Sequence, residues 1–480
     1  MKTNSLDFDA QALREKILDL AMRGKLVNQD PNDEPANVLL EKIKAEKVEL
    51  VKEGKIKKSK ALPEITEDEK PFDIPDSWEW VRLGDVLLNT IGGGTPSKKN
   101  QDYWNGKIPW ISVKDVHKDE LEITETQDTI STMGLKNSST NLIKANTLIA
   151  VMRMAVGRIG VVKMNACINQ DLRALITSKN FCDQYLLYIY SHLNFETSGI
   201  TVKGLKINAL LETIIPLPPL SEQSRIAAKI AQLFALLRKV ESSTQQYAKL
   251  QTLLRSKVLD LAMRGKLVEQ DPNDEPASVL LEKIKAEKEQ LIKEKKMKKS
   301  KPLPPIADDE KPFEIPDSWE WVRLGEVNTY IGKNIHPEKT PEQLFELYSV
   351  PIYETNSPEI TSGKEIKSNK QTVIPDDILL CKINPRINRV WRVGNYTNYK
   401  NIASTEWIVV RQSQLLPDYL RYVLMSPYFR KLLQSNVSGV GGSLTRAKPV
   451  LVKKYVIPIP PLSEQSRISL KIAHLFTLLK

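Results

Sequence analysis

The sequence predicts an α+β protein in which two globular domains are separated by long antiparallel coiled-coil helices, the halves forming a pseudo-twofold internal repeat with a circular arrangement. Three observations predict it. The chain repeats itself at a fixed offset, a heptad-like apolar seam runs between the repeats, and short strand signals fill the segments that the repeat does not cover.

The repeat comes first because it organises the rest. At an offset of 241, residues 20–86 match residues 261–327 at 54 of 67 positions, including AMRGKLV at 21–27 and 262–268 and DSWEWVRLG at 76–84 and 317–325. PLPPLSEQSRI at 216–226 recurs at an offset of 242 as PIPPLSEQSRI at 458–468. Between these blocks, roughly 88–215 and 329–457, the halves diverge almost beyond alignment. Two frames kept alike make the same kind of contact twice, and two unlike inserts bind two different things. A bipartite nucleic-acid site fits this pattern, as half-sites fit protein dimers. Neutral drift after a duplication does not explain why divergence is confined to the inserts.

From Ser221 a long helix is legible. Pro218 and Pro219 end the preceding strand, Ser221 is placed to cap, and Glu222 sits in the first turn, where the helix dipole favours it. Ile226, Ile230, Leu233, Leu237, Val240, Thr244, Tyr247, Gln251, Leu254, Val258 and Leu261 step by fours and threes. Gly265 suits the left-handed position that ends such a helix. The seam restarts with Ile468, Ile472, Leu475 and Leu479, while Leu13, Ile17 and Leu20 match Leu254, Val258 and Leu261. The repeat is therefore permuted across the termini, and the first and last helices are expected to lie end to end, antiparallel to the central rod.

A lysine-rich helical segment follows each rod, at 35–60 and 276–301, with Val38, Leu39, Ile43 and Leu50 as its apolar stripe. It is read either as a solvated arm that docks on a partner or as a phosphate contact. LPEI at 62–65 and PLPPI at 302–306 mark linkers. The expected boundaries are a frame at 1–70, a first insert domain at 71–215, a central frame at 216–311, a second insert domain at 312–457 and a final frame helix at 458–480.

Each insert holds candidates for a nucleic-acid interface. In IGGGTPSKKN at 91–100 the glycines permit unusual backbone angles, Thr95 and Ser97 offer hydroxyls, and Lys98 and Lys99 can approach phosphate. The segment is not a P-loop, since GxxxxGK[ST] lacks its second glycine, and no GxGxxG occurs. YWNGKIPWISVKD at 103–115 reads as a turn between short strands, and TLIAVM at 147–152 as a buried strand leading to Arg153 and Arg158. In the second insert DILLCK at 377–382 leads through Lys382 to Asn384, Arg386, Arg389 and Arg392. Arginine and asparagine make paired contacts to guanine and adenine edges. The basic loops SGITVKGLKIN at 198–208 and SGVGGSLTRAK at 438–448 add Lys203, Lys206, Ser443, Arg446 and Lys448.

Composition bounds the alternatives. The chain has 480 residues, 41% hydrophobic and 27% charged, with 70 Lys and Arg against 59 Asp and Glu, a formal net charge of +11. This is a folded, basic protein for which a phosphate backbone is a plausible partner. A polar start and the lack of any run of eighteen apolar residues lead to an expected cytoplasmic location. Cys167, Cys182 and Cys381 are too scattered for a disulfide framework, and His117, His192, His336 and His474 lack metal-ligand spacing. No methyltransferase motif of the NPPY or DPPY kind occurs. A nuclease would need a carboxylate set, for which Asp317, Glu365 and Lys367 form only a weak match. A scaffold whose inserts bind peptides is the alternative from another class, and it predicts little salt dependence.

AMRGKLV, SWEWVRLG, GGGTPS with YWNGKIPW, and PLPPLSEQSRI before a long helix together resemble the specificity subunit (HsdS) of type I restriction-modification enzymes, over essentially the whole chain. The resemblance implies that each insert is a target-recognition domain reading half of a split DNA site, with the helices as a ruler for the spacer. It implies two methyltransferase subunits (HsdM) on the frames and restriction subunits (HsdR) joining them. S-adenosylmethionine, ATP and Mg would then sit on those partners, with no cofactor, metal or catalytic residue on this chain. GGGTPS and YWNGKIPW occur only in the first insert, where the second has IGKNIHPEKT at 331–340, so contacts implied for that loop do not transfer.

Overall fold

The computed structural model describes residues 8–118, 120–198, 204–435, 437–438 and 445–479. It divides into two compact units between Thr244 and Gln245. Both are mixed helix and strand, and both contain the same frame in the same order.

In the first unit the helices Ala10–Met22 and Ala36–Lys52 precede a short ingoing strand, Glu79–Arg82. The insert follows, then the outgoing strand Ile214–Leu217 and the start of the central helix, Leu220–Met263. The second unit runs from the end of that helix through Ala277–Lys293, Glu320–Arg323, the second insert and Val456–Ile459 to Leu462–Leu478. Each ingoing strand pairs antiparallel with its outgoing strand, Val81 opposite Ile215 and Val322 opposite Ile457.

The central helix has 44 residues, about 65 Å at 1.5 Å per residue. Gly265 ends it at φ +66°, and Gly24 ends the first helix at the same φ. A methyl group on Gly24 would lie 2.4 Å from Pro75 Cγ, so this stop needs glycine for backbone and space alike. Ser221 does not cap, because its hydroxyl donates to Asp33 instead.

Within each unit two helices pack antiparallel. In the first, Arg14 reaches Glu241 at 2.6 Å. In the second, Arg255 lies 5.0 Å from the ring of Phe476, and Gln251 donates to the carbonyl of Leu479. Ile226, Ile230, Ile468 and Ile472 of the predicted seam are buried, and Leu233, Leu237, Val258, Leu261 and Leu475 are half-buried. Val240, Tyr247 and Leu254 are exposed, and so is Leu13. The packed face is turned by about one position from the predicted one, using Leu18, Ala21 and Met22 in one unit and Leu259, Ala262 and Met263 in the other. The reason is that these helix ends must also lie on their globular domains, whose cores include these side chains. A strict heptad seam serves only a partner helix.

The lysine-rich segment packs part of its apolar stripe on its own unit. Leu39 and Ile43 of Ala36–Lys52 are buried in the core of their own unit, and Lys47 donates to the carbonyl of Gly84 at 2.7 Å. Its twin, Ala277–Lys293, buries Leu280 and Ile284 and uses Lys288 in the same way on Gly325. Leu39 and Ile43 of the apolar stripe are thus absorbed by their own domain, while Val38 is exposed and Leu50 half-buried.

A buried guanidinium closes each frame. Arg82 donates to Glu69, to the carbonyls of Pro63 and Glu64 and to that of Glu212. Arg323 repeats the set on Glu310, Pro304, Pro305 and Lys454. The guanidinium of Arg323 holds the Glu310 carboxyl down at about 2. The inserts differ in sheet layout. The first has a five-stranded sheet ordered Leu87–Gly92, Leu172–Thr177, Leu148–Val151, Ile159–Val162, Glu122–Ile123, and a second sheet of four strands. The second insert has a five-stranded and a three-stranded sheet, the latter centred on Ile378–Cys381. Residues 103–115, expected as a turn between short strands, hold one eight-residue strand, Trp104–Ile111, whose Asn105 takes a left-handed φ of 57° while the pairing shifts register between Trp104 and Ile108. The Asn-Gly pair marks a bulge there.

Gly24→Ala is expected to cost about 1–3 kcal/mol, from the left-handed backbone and the Pro75 clash, in denaturant unfolding. Glu310→Gln tests the guanidinium latch. A depressed carboxyl stabilises the fold above its ordinary range and loses that contribution as pH falls. The gap in Tm between wild type and variant should therefore be widest near neutral pH and close as pH drops from about 4.5 toward 2.

Candidate nucleic-acid interface

In the first insert the GGGTPS loop is pinned by backbone contacts. Gly94 N–H donates to the carbonyl of Ile168 at 2.9 Å, and Trp110 Nε1 donates to the carbonyl of Gly94 at 3.0 Å. A methyl group on Gly93 would sit 2.1 Å from the carbonyl oxygen of Ile168 and 2.2 Å from that of Asn169. None of these three glycines has a positive φ, so they serve close approach and not the unusual backbone angles expected from sequence. The approach brings Thr95 onto the turn that follows Ala166–Ile168, where its hydroxyl donates to Gln170. Ser97 is exposed and its carbonyl accepts from Trp104 Nε1, while Lys98 and Lys99 are exposed on the next turn.

The same turn carries Asp171, which meets Arg153 at 3.6 Å. Arg153 follows the buried strand Leu148–Val151 and bridges to Gly204, in the short hairpin of Thr197–Ser198 with Gly204–Leu205. Two main-chain bonds build this junction, Met152 N–H to the carbonyl of Asp171 at 2.8 Å and Leu205 N–H to that of Met152 at 2.7 Å. Lys206 is exposed just beyond it, and Lys203 lies outside the described residues. Arg158 is elsewhere. Half-buried, it donates to the carbonyl of Val116 and faces a cleft of about 1220 Å³ lined also by Arg14, His117, Phe234 and Arg238.

The second insert builds the same junction from other residues. Lys382 N–H donates to the carbonyl of Glu406 at 2.9 Å, and Ala447 N–H donates to that of Lys382 at 2.9 Å. Ile383 bridges to Arg446, and Arg446 meets Glu406 at 3.3 Å. Asn384, left-handed at φ +50°, hydrogen-bonds through its backbone to Thr445. Arg386 is exposed on the adjoining turn, and Lys448 is exposed after the hairpin. Ser443 lies outside the described residues. Arg389 turns toward Glu354 at 3.9 Å, and Arg392 is held between Asp376 and Asp418 at 2.7 Å each, so neither joins the junction.

Sequence reasoning thus pointed to Arg153, Lys382, Asn384 and Arg446 but missed Gln170, Asp171 and Glu406. Their local signal is slight, a polar tripeptide between strands, Asn169-Gln170-Asp171 and Ser404-Thr405-Glu406. The frame motif SEQSR is spent inside each unit. Glu222 accepts from Trp78 Nε1 at 2.9 Å and from Gln29, Gln223 accepts from the backbone of Cys182, and Arg225 pairs with Asp33. Glu464, Gln465 and Arg467 do the same with Trp319, Gln270, Leu416 and Asp274. Burial raises both glutamate pKa values, while Arg225 and Arg467 lower those of Asp33 and Asp274.

Among the described residues no group of three or more His, Cys, Asp and Glu is placed to hold a metal ion, and the three cysteines are free. Glu365, of the weak nuclease match, accepts from Thr361. Among the described residues no helix is long and apolar enough to cross a membrane.

Twin frames carrying unlike α+β inserts on long helices define a duplicated protein with one exposed polar junction per half. The chain belongs to the type I restriction modification DNA specificity domain family, whose model matches residues 75–251 and 316–478. It is similar to the EcoAI type I restriction enzyme specificity subunit of Escherichia coli, 37% identical over 396 residues, covering 68% of this chain and 63% of that one. It is similar to the EcoEI specificity subunit of Escherichia coli, 35% identical over 390 residues, 70% of this chain and 64% of that one. The chain thus spans just under two thirds of the length of these relatives. A solved chain of a type I R-M system shares the fold at a TM-score of 0.54 and 19% identity, over 85% of this chain and 92% of that one.

Gly93→Ala is expected to lower the thermal unfolding midpoint, because the loop cannot hold its hydrogen bond to Ile168 with a methyl group 2.1 Å from that oxygen. A loss of about 2 kcal/mol or more in denaturant unfolding is the expected size.

Proposed function

We propose that this chain is the non-catalytic specificity subunit of a type I restriction-modification complex, reading a bipartite DNA site with one half-site per insert. The observation that carries the proposal is the junction built twice. Two inserts with different sheets keep the same backbone crossing and each offers an exposed arginine from it. Two reading heads on matched frames suit a split target, and a net charge of +11 suits a phosphate backbone.

In this proposal the frames hold two methyltransferase subunits (HsdM), and restriction subunits (HsdR) join the assembly. S-adenosylmethionine, ATP and Mg belong to those partners, and the chemistry is adenine methylation and DNA cleavage away from this chain. Thr95, Ser97, Lys98, Lys99, Lys206, Lys382, Asn384, Arg386 and Lys448 serve as the surrounding contacts, most of them to phosphate.

The test is long-read mapping of adenine methylation in cells expressing the chain with its methyltransferase partner, against cells lacking the chain. A methylated split motif that disappears with the chain is the expected result. Unchanged methylation with an active methyltransferase present would leave the peptide-binding scaffold as the better account.

A further inference from the structure

Resting on that proposed function, we infer that the lysine tail of each frame, Lys52, Lys55, Lys57, Lys58 and Lys60 with its twin at 293–301, is a sequence-independent clamp on the DNA phosphates beside the half-site that its own insert reads.

What the repeat keeps is the first observation. Over 48–67, nine of twenty positions differ from their twins at 289–308, among them Val48 against Glu289, Ile56 against Met297 and Glu64 against Pro305. All five lysines are kept, as Lys293, Lys296, Lys298, Lys299 and Lys301. Folding does not ask for them. All ten are exposed, and among the described residues only Lys55 and Lys296 form an ion pair, each with the glutamate two positions before it. Exposed pairs of that kind add little stability. One exchange even adds a lysine. Gly54, left-handed at φ +71°, gives way to Lys295 in the same turn at φ +56°, where a side chain is strained.

Placement is the second observation. Lys47, before the tail, donates to the carbonyl of Gly84, and a methyl group on Gly84 would lie 2.8 Å from Leu62, after the tail, and 3.1 Å from the carbonyl of Leu211. Leu211 belongs to the helix Ile207–Glu212, which starts two residues past Leu205 of the junction. In the second unit Lys288 and Leu303 meet Gly325 in the same way, beside Lys453 at the end of the helix Pro449–Val452, which starts two residues past Ala447. Each tail is thus held next to the helix by which its chain leaves the junction. Six helical residues span about 9 Å, so the tail flanks whatever the junction meets.

Chemistry then selects the partner. Neither 52–60 nor 293–301 contains an arginine or an aromatic residue. Those residues are enriched at protein interfaces, from which lysine is depleted. Lysine offers a compact charge on a flexible stem and lacks the planar fork that reads a base edge. Six extended residues span about 20 Å, over which a duplex presents about twelve phosphate charges.

The experiment uses the full chain in complex with its methyltransferase partner, and duplexes carrying the split motif that methylation mapping gives. Lys57→Gln, Lys58→Gln and Lys60→Gln are combined in one variant, and Lys298→Gln, Lys299→Gln and Lys301→Gln in another. Each should bind cognate and unrelated duplexes about tenfold to a hundredfold more weakly at about 0.15 M salt, with the methylated motif unchanged. The slope of log Kd against log salt should become shallower by about two to three. Neutral methylphosphonates beside one half-site should weaken the unaltered complex and have little further effect on the matching variant. The same positions changed to arginine should restore affinity and slope, which separates lost charge from a folding fault. An unchanged salt slope, or a motif that loses a base, would overturn the inference. So would glutamine variants that lose the methyltransferase subunit, since the lysines would then belong to a protein contact. Absence of any split motif with the unaltered chain would instead remove the proposed function on which the inference rests.

Discussion

A buried carboxylate at the first turn of each long helix is the constraint on which the rest of the frame depends. Glu222 and Glu464 are essentially without solvent, and a carboxylate in that position is costly unless its oxygens are matched. The match comes from a tryptophan indole beside the ingoing strand and a glutamine just past the preceding helix. Three segments far apart in sequence are therefore fixed to one another by one side chain. Loss of any donor leaves an anion underground, which explains in physical terms why Trp, Gln and Glu stand at equivalent places in both halves.

Much of this was legible in the sequence because repetition displays it. The offset match exposed the frame, prolines and a glycine bracketed the central helix, and the apolar strands at Leu148 and Ile378 were plain. Which face of the helices packs was less so. Leu13 and Leu254 satisfy a heptad, but Leu18 and Leu259 satisfy a partner helix and a globular domain together, and only the second demand decides burial.

The junction in each insert was legible in its cations and hidden in its anions. Arg153 stands out because it follows the apolar run 147–152, and Arg446 because it comes after the glycine-bearing segment 438–445. Asp171 and Glu406 gain meaning only from crossings of main chain distant in sequence, Leu205 on Met152 and Ala447 on Lys382. The glycines of GGGTPS were misread for the same reason. Their neighbour is the Ile168 carbonyl, and no local pattern announces a contact so remote along the chain.

The paired ingoing and outgoing strands carry one more consequence. Val81 faces Ile215 and Val322 faces Ile457, so each insert leaves and rejoins its frame from adjacent strands. The loop-closure entropy of everything in between is met at that neck, whatever the insert's length or topology, and grows only slowly with added residues. Evolution can therefore lengthen, shorten or rebuild an insert without renegotiating the stability of the frame. Two sheets as different as those in the two halves can hang from the same four-residue clamp.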